Sequence, residues 1–249
     1  MTDSVVELQT VERHVLQIKM QDRVSKNTFS EALTRGLIET FAEVGARSDC
    51  KVVILTGYDN YFASGGTQEA LLSLSAGHGA FTDRDLYSLA LRCPVPVISA
   101  MQGHGIGGGF VLGLFSDIVI LSRESIYTAN FMRYGFTPGM GATCVLPQKL
   151  GFGLATEMML SANNYRGEEL QQRGISFPVL PRDQVMIRAL ELAQVLAEKP
   201  RLSLVTLKEH LNASLRDALP GMVEKEVAMH AITFPQPEVK ARIEELFRH

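Results

Sequence analysis

Apolar and polar positions change their spacing several times along the chain, and each change predicts an element. Val5–Gln9 and Val15–Met20 read as two short strands around a turn at Val11–His14. Asp22–Asn27 is polar and reads as a loop. From Ser30 to about Val44, the residues Leu33, Leu37, Ile38, Phe41 and Val44 recur on one helical face. Val52–Thr56 is a continuous apolar, β-branched run, the pattern of a strand covered on both faces. Residues 57–66 read as a loop and Thr67–Ser75 as a helix, broken at Ala76–Ala80. Thr82 is the expected cap of a further helix through Leu91, with Asp85 at its third position.

Val95–Ala100 is the next strand, with Pro96 near its start. A glycine loop at Gly103–Gly109 leads into a helix at Phe110–Phe115. Asp117–Ser122 and the shorter Ser125–Ala129 read as strands, Tyr134–Ala142 as a loop, and a helix lies near Cys144–Leu150. Beyond Gly151 the spacing is helical throughout: Leu154–Ser161, Arg166–Gly174, Arg182–Lys199, Arg201–Asn212, Leu215–Phe234 and Pro237–Phe247. Strands with interleaved helices, followed by helices alone, predict an α/β core with a helical C-terminal extension. The expected division is 1–190 and 191–249.

Composition narrows the classes. The chain has 249 residues, 46% hydrophobic and 20% charged, which suits a folded domain large enough to bury a core without staples. A net charge of −3 argues against a nucleic-acid partner, which calls for a basic face. No run of 18 apolar residues predicts a membrane span, and MTDSVVELQ lacks a basic start and apolar stretch, so a cytoplasmic location is expected. Cys50, Cys93 and Cys144 have no metal-ligand spacing and read as buried thiols. Neither a metal nor a cofactor is expected. The glycines, by contrast, are clustered: 14 of 21 fall between Gly57 and Gly141.

Two of the glycine segments follow strands and precede helices: Phe62-Ala-Ser-Gly-Gly-Thr67 and Gly103-His-Gly-Ile-Gly-Gly-Gly109. Glycine permits tight turns and close approach to backbone amides. Unpaired N–H groups at such turns hold negative charge, and two of them aimed at one oxygen form an oxyanion hole. Gly103, Gly105 and Gly108 also match the GxGxxG dinucleotide pattern, with Glu124 about 20 residues on. That alternative leaves the first glycine loop unexplained. A purely structural role for both loops is the third reading.

With these segments in place the chain resembles the enoyl-CoA hydratase/isomerase (crotonase) superfamily. The resemblance rests on Phe62–Thr67, Pro96–Gly109, Ser116–Ile120 and Tyr134–Thr143, in order and at the family's spacing. It implies an α/β fold, a crotonase-like spiral of ββα units with a C-terminal helical trimerisation region. It also implies a thioester substrate whose carbonyl oxygen accepts two backbone N–H bonds, from Gly66 and Gly108. Phe62, Ala63, Gly65 and Gly107 are then expected to flank the substrate. The hydratases' two glutamates fall on Val111 and Phe131, apolar residues that read as core packing, are also counted among the substrate-binding candidates, and cannot move a proton. Hydration is therefore not expected.

Asp22-Arg23, Tyr58–Glu69, Phe81–Asp83, Leu86–Leu91 and Tyr127–Phe131 resemble the decarboxylating branch of that superfamily found in bacillaene-type polyketide β-branching. That branch converts 3-methylglutaconyl to 3-methylcrotonyl on an acyl carrier protein, whose phosphopantetheine thioester is the implied partner. Coenzyme A thioesters are a second donor class, and a homotrimer or hexamer is the implied assembly. The branch's catalytic histidine falls on His230 and its lysine on Ala80. Alanine can neither bind a carboxylate nor donate a proton. The resemblance thus leaves an impaired lysine-truncated variant, a member relying on His230 or His78, or an inactive homologue, and favours the first. An enoyl-thioester isomerase and a non-catalytic carrier-binding protein are the alternatives. His104 is expected to brace its loop.

Overall fold

The computed structural model describes residues 4–83 and 85–248. Met1–Asp3 of the N-terminal reading, residue 84 of the expected helix at 82–91, and His249 lie outside the described residues.

Six strands form the larger sheet: β1 (Val6–Glu12), β2 (Val15–Met20), β3 (Val52–Thr56), β5 (Val97–Met101), β7 (Ile118–Ser122) and β10 (Val179–Leu180), adjacent in that order. The pairs are parallel except the β1/β2 hairpin. A second sheet joins β4 (Tyr61–Ala63), β6 (His104–Ile106), β8 (Ile126–Thr128) and β9 (Tyr165–Arg166). The chain alternates between the sheets: β3 then β4, β5 then β6, β7 then β8. The first two such pairs lead into helices α2 (Gln68–Ser75) and α4 (Gly108–Leu114), and the third into a single 3-10 turn at Asn130–Tyr134. This is the ββα spiral. Strands β4, β6, β9 and β10 have three residues or fewer, too short to carry a period in sequence.

The apolar run Val52–Thr56 is buried throughout because both faces are covered. Val52 and Ile54 join Ile98, Ala100 and Ile120 beneath Val185, Ala189 and Ala193 of α8 (Arg182–Ala197). Val53 and Leu55 face the main core with Phe62, Phe110 and Tyr127. Side chains alternate between faces along each strand, so one run supplies two cores. Helix α8 continues through residue 190, where the sequence reading divides core from extension. Helix α1 (Glu31–Ala46) starts where Ser30 accepts from the Leu33 amide.

Two expectations are corrected. Among the described residues of the helix expected from Thr82 to Leu91, helix is found only from Leu89, where α3 (Leu89–Arg92) begins. The acidic side chains there bind locally and compete with a helix. Asp83 Oδ2 accepts the Ala80 amide at 2.8 Å, and Asp85 accepts Ser88 Oγ at 2.7 Å and pairs with Arg92 at 2.5 Å. The expected break between Asn212 and Leu215 is absent, and α9 runs unbroken from Arg201 to Thr233 through Pro220. Asn212 stays helical because its side chain bonds Asp117 and the Lys208 carbonyl. Lys208 is itself buried, on Asp117 at 2.8 Å and on the carbonyls of Ala90 and Val95. Breaking such a buried pair costs about 3–5 kcal/mol, so this anchor fixes α9 against the core. Helices α5 (Ala142–Leu150), α6 (Phe152–Ser161), α7 (Gly167–Gln172) and α10 (Pro237–Leu246) complete the chain. Among the described residues no helix is long and apolar enough to cross a membrane.

Candidate active site

The two glycine loops meet. The first is pinned by the buried Asn27, whose Nδ2 donates to the carbonyls of Met20 and Phe62 and whose Oδ1 accepts the Asp22 amide. Its carbonyl accepts Ser64 N, and Phe29 N donates to Gly65 O. Gly65 turns with φ +76°, and a Cβ there would lie 2.9 Å from the Ile106 carbonyl and 3.4 Å from the Gly108 amide nitrogen. Gly107 turns with φ +54°, its amide tied to the Thr128 carbonyl, and Gly109 packs on Ala63 so closely that a Cβ would overlap its carbonyl. Only side-chain-free residues allow this approach.

The consequence is electrostatic. Gly66 follows the first turn, and Gly108 opens α4. Neither amide donates to a protein acceptor among the described residues. Both residues line one cavity of about 600 Å³. Thr67 caps α2 just beyond Gly66, accepting from Ala70 N. The rest of the wall is largely apolar, with Phe29, Leu71, Leu74, Phe81, Ile106 and Met140 prominent.

His230 of α9 lines the same cavity. Its ring lies among Phe81, Phe136 and Phe234, with centroids at 5.0, 6.1 and 4.8 Å. Its Nε2 lies 2.8 Å from the Thr137 carbonyl, so Nε2 carries the proton and donates. Burial holds the imidazole below its usual 6.5, against the pull of the Thr137 and Pro138 backbone. The ring is therefore neutral at pH 7, and Nδ1 is its basic nitrogen. Gly139 packs on this ring, where a Cβ would come within 2.5 Å of Cε1. One helical turn earlier, Glu226 is fully buried and accepts from Gly141 N, Thr143 N and Thr143 Oγ1 at 2.7–2.8 Å.

Of the residues expected from sequence, Gly65, Gly66, Gly107, Gly108, Ala80, Phe131 and His230 all line this cavity, as does His78. Phe62, Ala63 and Val111 do not. Their side chains belong to the main core, buried to 0% exposure, because β4 and α4 turn them towards each other beneath the loops. Phe62, Ala63 and Val111 are thus corrected from substrate-binding candidates to scaffold, whereas the core-packing reading of Val111 holds. Ala80 exchanges two bonds with Asp83, through its amide and its carbonyl. Arg133 turns away to Ala162 and Asn164, whereas Tyr134 lines the cavity between Phe136 and Phe247. His104 accepts the Ile126 amide at 2.9 Å and braces its loop. Glu124 is engaged by Ser122 Oγ and Arg182 N, a structural role that leaves the dinucleotide pattern without its acidic partner. Cys50 and Cys93 are buried and Cys144 half-buried, all free thiols. No cluster able to hold a metal occurs among the described residues. Asn130 and Met140, which sequence reading passed over, also line the cavity.

Comparison with known proteins agrees with this geometry. Residues 10–246 match the family model described as enoyl-CoA hydratase/isomerase. The chain is 63% identical, over 99% of both chains, to the bacillaene synthase decarboxylase PksI of Bacillus subtilis. It superposes with a TM-score of 0.98 and 63% identity on a structure from a dehydratase/decarboxylase enzyme couple of polyketide β-branching, covering 99% of this chain and 100% of that one. The ECH2 decarboxylase domain of CurF from Lyngbya majuscula follows at 0.94 and 46% identity, covering 98% and 100%. With its ββα spiral, paired glycine turns and near-complete match to the model, the chain belongs to the enoyl-CoA hydratase/isomerase family.

Proposed function

We propose that this protein decarboxylates 3-methylglutaconyl held as a thioester on an acyl carrier protein, giving the 3-methylcrotonyl thioester for polyketide β-branching. The observation that carries the reading is the pair of unengaged amides at Gly66 and Gly108 on one largely apolar cavity. Both donate to the thioester oxygen. When the C–CO2 bond breaks, its electron pair runs through the conjugated system to that oxygen, CO2 departs, and the enolate is held by the two N–H groups. One proton then adds at carbon to complete the product. No carboxylate base is required, which fits Val111 and Phe131 at the hydratase positions. The similarity to two decarboxylases at 63% and 46% identity supports the same chemistry.

The aromatic end of the cavity suits the leaving group. A carboxylate set among Phe81, Phe136 and Phe234 loses hydration, whereas neutral CO2 does not suffer there. His230 delivers the proton from Nδ1 after that nitrogen has taken one from solvent. Ala80, beside Phe81, leaves this end without the lysine of the decarboxylating branch, so turnover is slow. A carrier-held substrate brings an acidic partner, which calls for local positive charge on the surface where it docks. The exposed Leu202, Leu207, Leu211 and Ile232 of α9 support self-association into a trimer or hexamer.

The test is incubation with 3-methylglutaconyl-carrier protein, followed by intact mass. Loss of one CO2 supports the reading. A shifted double bond at unchanged mass favours the isomerase instead.

A further inference from the structure

Asn130 opens the 3-10 turn after β8 and lines the cavity. It is 8% exposed, yet its carboxamide has no hydrogen-bond partner among the described residues. Its polar atoms open onto the cavity, so the carboxamide is free to bond what the cavity takes in.

Its position says what. Oδ1 lies against Gly107, where a Cβ would come within 2.6 Å of it. The turn is held there from both sides, by Gly107 N on the Thr128 carbonyl and by Phe131 packed on Phe136. With Oδ1 set against Gly107, Nδ2 is the end left for a ligand. The next residue is Gly108, whose amide is free. Asn130 therefore belongs to the glycine-loop end of the cavity. His230, on the far side of Gly139 and Met140, belongs to the other: a Cβ on Gly108 would touch Met140, and one on Gly139 would touch His230.

We propose that Asn130 is a catalytic residue, its Nδ2–H the third donor to the thioester oxygen beside the amides of Gly66 and Gly108. This rests on the decarboxylase reading. The residue type fits the charge that develops. A neutral donor strengthens its bond as the oxygen becomes an enolate. A cation at that end would instead pair with the substrate carboxylate and hold the ground state. The Gly107 backbone also gains a reason for lacking a side chain, since any Cβ would expel Oδ1.

The test measures kcat and KM for Asn130→Ala and Asn130→Asp with the carrier-held substrate, in the parent chain and in the Ala80→Lys background. In Asn130→Ala the loss of one oxyanion donor lowers kcat by about 10²-fold, with KM within about threefold because the contact strengthens in the transition state, whereas Asn130→Asp loses in both kcat and KM. Thermal unfolding of Asn130→Ala stays close to the parent's, since the side chain makes no hydrogen bond to the protein among the described residues. An unchanged kcat, or a change confined to KM, overturns the proposal. If neither background releases CO2, the decarboxylase reading fails on its own, and calorimetry with saturated acyl-pantetheine thioester still decides Asn130. Asn130→Asp, which sets a carboxylate against the carbonyl oxygen, then weakens binding by about tenfold; equal affinity overturns the contact.

Discussion

Glu226 and His230 stand one helical turn apart on α9 and grip opposite ends of one loop. Glu226 accepts the amides of Gly141 and Thr143, while His230 Nε2 donates to the Thr137 carbonyl. Between these grips lie Gly139 and Met140, both on the cavity wall. The carboxylate thus fixes the loop against which the histidine ring is packed, without itself reaching the cavity.

Burial is the largest influence on Glu226 and raises its carboxyl above the usual 4.5, opposed by the three donors. The folded protein then holds a proton that the unfolded chain has released, in a window beginning near 4.5 and extending upward. Within that window stability falls as pH rises. Glu226→Gln removes this slope and leaves one of the three donors facing an N–H, at a cost of about 1–3 kcal/mol. The parent's advantage over the variant is expected to be largest below the window and to shrink across it. Denaturant titrations of both proteins between pH 4 and 8 measure this, and an advantage that grew with pH would contradict it.

The two proposed amide donors differ in what a methyl group would do to them. At Gly66 a Cβ meets only the Leu71 side chain, with Cδ2 at 3.3 Å and Cγ at 3.5 Å. At Gly108 it would lie 2.5 Å from Met140 Sδ and 2.9 Å from Phe29 Cε2, forcing the cavity wall to move. Gly66→Ala is expected to retain activity within about tenfold, since its amide survives. Gly108→Ala is expected to lose about 10²-fold or more in kcat, as when an oxyanion donor is misplaced. Both proteins remain folded by circular dichroism, and equal activities would show that only the amides matter there.

His230 gives a kinetic signature. Its buried imidazole is held below 6.5 by desolvation, with Nε2–H committed to Thr137. Proton delivery from Nδ1 requires the charged ring, so kcat rises as pH falls through a pKa below 6.5. His230→Ala is expected to lower kcat by about 10²-fold and to abolish that rise. The same depressed value means the folded protein gives up a proton that the unfolded chain keeps. His230 thus contributes stability that is lost as pH falls below 6.5, so the rate must be read with the protein still folded. A flat pH–rate profile in the parent would remove His230 from the proton's path.

Much of this was legible in the chain, and the failures have physical causes. Val52–Thr56 announces a doubly covered strand because every position is apolar, and the glycine loops announce themselves because only glycine fits where the loops touch. Strands such as Tyr165–Arg166 are too short to show a period. The helix expected at Thr82 fails because Asp83 and Asp85 bind nearer partners, and α9 runs on because Lys208 and Asn212 are anchored to distant residues. Phe62 and Val111 were placed at the substrate by their neighbours in sequence, whereas strand and helix direction turn them inward. Asn130 stands inside the Tyr127–Phe131 segment that carries the resemblance, but nothing in the chain marks its role, since what marks it is an unbonded carboxamide on the cavity wall, visible only in the fold.

Ala80 is the sharpest test of the mechanism. It lies on the cavity wall beside Phe81, whose ring is 5.0 Å from that of His230, so position 80 adjoins the end where CO2 leaves. The Ala80 backbone is fixed by its exchange with Asp83, and the residue lines the cavity, which offers a longer side chain its space. A lysine there would bring an ammonium beside the substrate carboxylate and a second proton donor for the dienolate. Asp83, also on the wall, would keep that ammonium charged. Ala80→Lys is accordingly expected to raise the rate of CO2 loss by about 10²-fold or more, the range of a positioned proton-transfer group. Single-turnover mass measurements on the carrier-bound substrate compare the two proteins directly. If the lysine form is no faster, position 80 does not serve the chemistry, and His230 with the amide donors must account for all of it.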